Sequence, residues 1–133
     1  MSQSKKVLIV EDEAIVRFDI SEHLIQHGFT VLEAMNSAEG FEHFEAHPDI
    51  TFLITDIDLP GVVDGLILAK FVVERWPHVR VLVMSGKRMA EVSDIPDGAV
   101  FIAKPADLAL ITDQMLQWDD KQRPLMAFDG APG

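Results

Sequence analysis

Five short apolar runs recur along the chain, each separated from the next by a segment long enough for a helix. They are Val7-Leu8-Ile9-Val10, Phe29-Thr30-Val31-Leu32, Ile50 to Thr55, Val79 to Met84, and Ala99 to Ala103. A strand with one wet face alternates apolar and polar side chains, so an unbroken apolar run marks a strand covered on both faces. That requirement leaves few folds open. Helices must flank a parallel sheet on both sides, reached by right-handed crossovers. The intervening segments support this. Residues 13 to 27 place apolar side chains at helical spacing. Asn36-Ser37-Ala38-Glu39 offers a helix cap, with Glu39 placed for a capping box on Asn36 or for the first-turn dipole. Asp64-Gly65 opens a helix that runs to Trp76, where Pro77 stops it, and a last helix spans about 106 to 118. The pattern predicts an α/β fold, (βα)5, built as a doubly wound parallel five-stranded sheet.

A sheet buried on both sides needs apolar mass, and 48% of the 133 residues are hydrophobic, enough for one ordinary domain. From Asp119 the sequence DDKQRPLMAFDGAPG loses periodicity and gains Pro and Gly. Residues 1–118 are therefore expected to form the domain and 119–133 a loosely structured C-terminal tail, too short for a second domain, so that the unit stands alone. The formal net charge of −11 would be repelled by duplex DNA or an anionic membrane, which argues against nucleic-acid and membrane partners. Cysteine is absent, excluding disulfides and thiolate metal sites and agreeing with a cytoplasmic location. The opening MSQSKK precedes only four apolar residues, which is neither a signal peptide nor a membrane span.

In open α/β sheets, ligands bind beyond the carboxyl ends of the strands. The first run ends at Glu11-Asp12, the third at Asp56, the fourth at Ser85 and the fifth at Lys104. The second ends without a distinctive group, as an edge strand far from a site would. In TDIDLP, Asp58 stands directly before Leu59-Pro60-Gly61 and is accounted for as a turn residue. Asp56 comes before the turn begins, so its placement needs another reason. Three carboxylates gathered at one rim repel each other, by about 4 kcal/mol per pair at about 4 Å and an effective dielectric of 20. A hard divalent cation, Mg2+ or Mn2+, removes that cost. The first strand–helix turn contains no glycine, which excludes a Rossmann or P-loop phosphate cradle. Lys104 can neutralise a phosphoryl group, Ser85 can hydrogen-bond it, and Gly86 leaves space for it. Asp56 is then a candidate nucleophile, since aspartates form acyl phosphates.

These residues carry a family resemblance over about residues 5 to 118. The acidic pair Glu11-Asp12, Asp56 in TDIDLPG, Ser85, and Lys104-Pro105, in that order on those strands, resemble the receiver domain of two-component response regulators. The resemblance implies the flavodoxin-like arrangement, with strand order 2-1-3-4-5. It implies that Asp56 accepts a phosphoryl group from a phosphohistidine on a sensor histidine kinase or a histidine phosphotransfer protein. It further implies Mg2+ held by Asp12, Asp56 and the backbone carbonyl of Asp58, with Glu11 acting through water. Ser85 and Phe101 would be the switching pair, and the Lys104-Pro105 bond would be cis. Such a chain is a phosphoacceptor signalling domain, not an enzyme, and acts through a downstream protein target or a homodimer. Two stretches depart from the family pattern. The loop Pro60 to Gly65 is one residue longer, and the helix between the fourth and fifth strands, around Lys87 to Val92, is short.

Helix one carries two apolar stripes. Val16, Ile20 and Leu24 suit the sheet, whereas Ala14, Ile15, Phe18 and Ile25 lie nearly opposite and are read as a surface that docks the cognate kinase. The pairs His23/His27 and His43/His47 have metal-compatible spacing without a third ligand, and are read as surface histidines. Asp58 and Lys87 are read either as a pair that faces across the site mouth and slows water's access to a phosphoryl group, or as a solvated pair of little consequence. Two competing functions remain. A haloacid-dehalogenase-like phosphatase would use Asp56 and Asp58, but its motif normally opens the fold, and its later acidic motif should follow a strand where Asp119-Asp120 follows a helix. A receiver-like scaffold that takes no phosphate would not need the intact acidic set.

Overall fold

A computed structural model describes residues 5–86 and 95–122. The strands are β1 (Lys6–Val10), β2 (Thr30–Ala34), β3 (Phe52–Asp56), β4 (Arg80–Ser85) and β5 (Val100–Ala103). They form one parallel sheet in the order β2-β1-β3-β4-β5, as the resemblance implied. The chain starts in the middle of the sheet, moves outward to β2, then returns past β1 to β3. The order therefore reverses between β1 and β3, which is where ligands meet such sheets.

Four helices are described: α1 (Ala14–Gln26), α2 (Ser37–Ala46), α3 (Gly65–Arg75) and α4 (Leu108–Gln122). Side-chain alternation along each strand divides the core into two layers. Leu8, Val10, Leu53, Val81 and Val83 point to α2 and α3, where Phe44, Leu68, Ala69 and Val72 meet them. Val7, Ile9, Phe52, Ile54, Leu82 and Met84 point to the other face, against Ile20 and Leu24 of α1 and Ile111, Met115 and Trp118 of α4. Both faces are dry, which is why the runs are unbroken.

Local signals placed the helix starts. Asn36 Oδ1 accepts from Glu39 N–H at 2.9 Å, and Asp64 Oδ1 accepts from Leu66 N–H at 3.0 Å and Ile67 N–H at 2.9 Å. Two details differ from expectation. The Glu39 carboxylate accepts from Met35 N–H at 2.8 Å, one residue before the cap, and not from Asn36 itself. The last helix also runs beyond 118, so residues 119–122 are helical and not tail. Trp118 and Asp119 are buried there, Trp118 stacks on Phe52, and Asp119 pairs with Lys5 at 3.5 Å. Packing extends the helix, and no Gly or Pro interrupts the sequence until Pro124. The helix expected around Lys87 to Val92, the Lys87 side of the Asp58–Lys87 pair, and residues 123–133 lie outside the described residues. Among the described residues no helix is long and apolar enough to cross a membrane.

Candidate functional site

The β1 end continues one residue past the strand, because Glu11 N–H still donates to Ala34 O of β2 at 3.0 Å. This holds Glu11 inside, with no exposed surface, while Asp12 turns out to solvent. Glu13 N–H donates to Glu11 Oε2 at 3.0 Å, tightening the turn into α1. At the β3 end, Ile57 N–H donates to Met84 O at 2.8 Å, so Asp56 is still braced by the sheet and only 3% exposed. Asp58 N–H donates to Asp56 Oδ1 at 3.1 Å, which orients the carboxylate toward the rim. One oxygen each from Glu11, Asp12 and Asp56 lies within 4.8 Å of the others.

Lys104 enters from β5, where its N–H donates to Ser85 O at 2.8 Å and its bond to Pro105 is cis, as the resemblance implied. Its Nζ stands 3.0 Å from Asp56 Oδ2, 3.1 Å from Glu11 Oε1 and 3.5 Å from Glu13 Oε1. Burial alone would lower the Lys104 pKa, but the hydrogen bonds and charges of Asp56 and Glu11 outweigh it and hold the ammonium firmly protonated. Glu11 is displaced the other way for a carboxylate. Burial chiefly, with the Asp56 charge adding, raises its pKa above the ordinary value, against the Glu13 N–H and Lys104 bonds. Ser85 is fully buried, with Oγ 3.5 Å from Asp58 Oδ2. A Cβ built on Gly86 would meet nothing within 4 Å, so the space beside Ser85 is open.

Among the described residues, Glu11, Asp12 and Asp56 are the ligating side chains brought together in a group of three. A set made only of carboxylate oxygens suits Mg2+ or Mn2+ and not a thiolate- or imidazole-seeking metal. That a lysine ammonium already bridges two of them shows that the cluster requires a positive charge. The residues therefore fit the hard cation expected of them. The histidine pairs stay apart from this centre. His23 and His27 touch each other at 4.9 Å between ring centroids, and His43 and His47 at 6.0 Å.

Phe101 lies on β5 opposite Val83, partly buried against the layer under α2 and α3. On α1, Ile20 and Leu24 are buried and Val16 packs beside them. Ala14, Ile15, Phe18 and Ile25 are exposed, with Ile15 76% and Phe18 58% accessible. A groove of about 500 Å3 runs between α1 and the β5–α4 turn, lined by Glu13, Val16, Asp19, Ile20, Pro105 and Leu108.

Three contributors were not visible as such in the sequence. Glu13 is a third carboxylate on Lys104. A Cβ on Gly65 would fall 1.8 Å from Asp56 O, so only glycine lets α3 begin against the β3 end; the Asp64-Gly65 pair signalled a helix start but not this contact. Arg17 Nη1 donates to Glu11 O at 2.7 Å while its Nε donates to Glu33 Oε1 at 2.9 Å. The second strand, which looked silent, thus reaches the site indirectly.

A doubly wound α/β domain with an acidic, cation-ready rim at its strand-order reversal is the class of protein that this fold and site define. The family model for the response regulator receiver domain matches residues 7–115, and the chain belongs to that family, the receiver domains of two-component systems. It is 33% identical over 105 residues to the chemotaxis protein CheY of Bacillus subtilis, covering 75% of this chain and 85% of CheY. It is 31% identical over 126 residues to the DNA-binding transcriptional regulator NtrC of Escherichia coli, covering 89% of this chain but only 26% of NtrC. The chain thus spans about a quarter of that relative's length. Among solved structures, the CheX–CheY–BeF3–Mg2+ complex from Borrelia burgdorferi contains a chain that is 26% identical, with a TM-score of 0.75 and coverage of 85% of this chain and 87% of that one.

Proposed function

We propose that Asp56 is the phosphoacceptor of a phosphorylation-controlled response regulator, charged from a phosphohistidine on a sensor histidine kinase or a histidine phosphotransfer protein. The observation that carries this reading is the meeting of Glu11, Asp12, Asp56 and Lys104 within hydrogen-bond or cation-sharing distance at one rim. An Asp56 carboxylate oxygen attacks phosphorus, the P–N bond to the donor imidazole breaks, and that nitrogen keeps the bonding pair and takes a proton. Later a water attacks the phosphorus of the acyl phosphate, the P–O bond breaks, and the Asp56 carboxylate and inorganic phosphate are released. Mg2+ or Mn2+, held by Asp12, Asp56 and the Asp58 carbonyl with Glu11 acting through water, would supply charge neutralisation for the phosphoryl oxygens. Lys104 moves its ammonium from the carboxylates to the phosphoryl group, and the Ser85 hydroxyl donates to another of its oxygens. The presence of BeF3 and Mg2+ in the complex of the Borrelia relative supports the same chemistry.

The modification adds about −1.5 to −2 charges at the rim. Drawing in Lys104 and Ser85, with Phe101 turning inward behind them, shifts a pre-existing equilibrium on the β4–β5 side and changes contacts with a downstream protein or a second copy. The chain assists only its own phosphorylation and dephosphorylation, in the cytoplasm where ATP-dependent kinases form phosphohistidine. Docking of the donor falls to Ala14, Ile15, Phe18 and Ile25, beside the groove that leads to Lys104. Phe18→Ala should slow phosphotransfer from the cognate kinase while leaving labelling by a small donor intact; an unchanged rate with the kinase would remove that surface.

Treatment with acetyl phosphate and Mg2+, read by intact mass, tests the central claim. One hydroxylamine-labile phosphoryl group on the native chain and none on Asp56→Asn is the expected result. Equal modification of both chains would exclude Asp56, and sustained turnover of a phosphate ester would favour the phosphatase reading.

A further inference from the structure

β2 delivers no side chain to the rim, yet it grips Glu11 from two directions. The Glu11 N–H goes to Ala34 O at 3.0 Å as the last bond between the two strands. Its carbonyl has already left the ladder and accepts from Arg17 Nη1 at 2.7 Å, and Arg17 in turn is held by Glu33 Oε1 at 2.9 Å. The Arg17 side chain is only 15% exposed, whereas Glu33 is 41% exposed. A guanidinium presents several donors in one rigid plane, so a single side chain can take both partners at once. The carbonyl it holds belongs to the peptide plane that joins Glu11 to Asp12, and that plane is stiff. Fixing it fixes the directions in which both acids leave the backbone.

We propose that Arg17 is a positioning residue for the cation site, with Glu33 as its anchor on the edge strand. It holds the Glu11–Asp12 peptide so that one carboxylate points inward to Lys104 and Asp56 and the other lies over them from the solvent side. The Arg17 charge is matched by Glu33, so the clamp adds little repulsion toward an arriving cation. The inference rests on the cation-dependent receiver reading above.

Calorimetric titration of Mg2+ into the native chain, Arg17→Met, Arg17→Lys and Glu33→Gln tests it. Arg17→Met should weaken Mg2+ binding about tenfold, the range found when a residue that orients metal ligands is removed. Arg17→Lys keeps the charge but cannot engage both partners, and should fall between the native chain and the Met variant. Glu33→Gln changes an exposed group, so it should leave ion-free stability in urea unaltered and still weaken Mg2+, by less than Arg17→Met. For Arg17→Met a purely electrostatic effect has the opposite sign, because removing a cation near the acids tightens Mg2+. For Glu33→Gln it has the same sign, so the Arg17 variants carry the decision. Unchanged or tighter binding in Arg17→Met overturns the proposal. Arg17→Lys, which conserves the charge, decides alone if the Met variant does not fold: native Mg2+ affinity there overturns the proposal. No Mg2+ binding by the native chain would overturn the receiver reading itself, whereas native binding with indifferent variants overturns only the clamp.

Discussion

At the N-terminal rim of the sheet, Lys6 Nζ lies 2.8 Å from Asp49 Oδ2; at the opposite rim, Lys104 Nζ lies 3.0 Å from Asp56 Oδ2 and 3.1 Å from Glu11 Oε1. The two lysine side chains are equally sheltered, at 18% exposure. Their partners are not: Asp49 is 52% exposed, against 4% for Asp56 and 0% for Glu11. The Lys6 hydrogen bond lowers the Asp49 pKa, while burial raises that of Glu11 despite its own lysine. The same pair of functional groups is a solvated surface contact at one end and an over-crowded charge cluster at the other. Depth of the carboxylate, not distance, separates an ornamental ion pair from a site ready to take a cation.

The contrast can be broken most forcefully from the backbone. Gly65→Ala sets a methyl against Asp56 O, and neither the carbonyl nor the start of α3 can yield cheaply. It should destabilise the chain by about 3 kcal/mol in urea unfolding, at the top of the overpacking range, and abolish labelling of Asp56. A loss under about 1 kcal/mol would show that the helix start accommodates the methyl.

Lys104→Met leaves Glu11 and Asp56 without their shared cation. About 2 kcal/mol of stability should be lost, less than the ~3–5 typical of a fully buried pair because Lys104 keeps some solvent. Millimolar Mg2+ should recover much of that loss in the same melt. If Mg2+ changes nothing, the carboxylates do not share an ion.

The pH dependence of the two rims should run in opposite directions. Glu11 has a raised folded pKa, so its contribution is fully present below its unfolded value near 4.5 and is lost as pH rises through the folded value. Without Mg2+, Glu11→Gln should therefore become relatively more stable than the native chain as pH rises above the mid-4 range. Asp49 has a lowered folded pKa, so its contribution is present above its unfolded value near 3.8 and is lost as pH falls through the folded one. Asp49→Asn should match the native chain only in acid. Difference curves of unfolding midpoint against pH for the two variants check both signs, and parallel curves would erase the distinction between the rims. The smallest effect belongs to Lys6→Met, which removes the same exposed pair and should lower the unfolding midpoint at neutral pH by no more than Asp49→Asn does, while flattening the Asp49 difference curve.

Much of this was legible in the chain. The unbroken apolar runs required two dry faces, and the two core layers follow from alternation along β1 and β3. The strand ends named Glu11, Asp12, Asp56, Ser85 and Lys104, and the geometry brings the three acids and the lysine together. What escaped were contacts whose reason lies across the fold. Arg17 reads as an ordinary polar helix residue, and Glu33 as an outward position on an edge strand. Only adjacency of β1 and β2 makes them a pair. Helix α4 passes residue 118 because Trp118 and Asp119 find buried partners, which no local periodicity records.

The order of apolar and polar residues was sufficient to determine the alternation of strands and helices, and with it which side chains arrive at the C-terminal rim. Those are short-range consequences of backbone period and solvent exclusion. Tertiary structure alone decided who neutralises whom. Lys104 and Glu11 stand 93 residues apart, and their meeting at 3.1 Å depends on the lateral order of five strands. Electrostatic energy follows distance and depth in space, and neither is written along a chain.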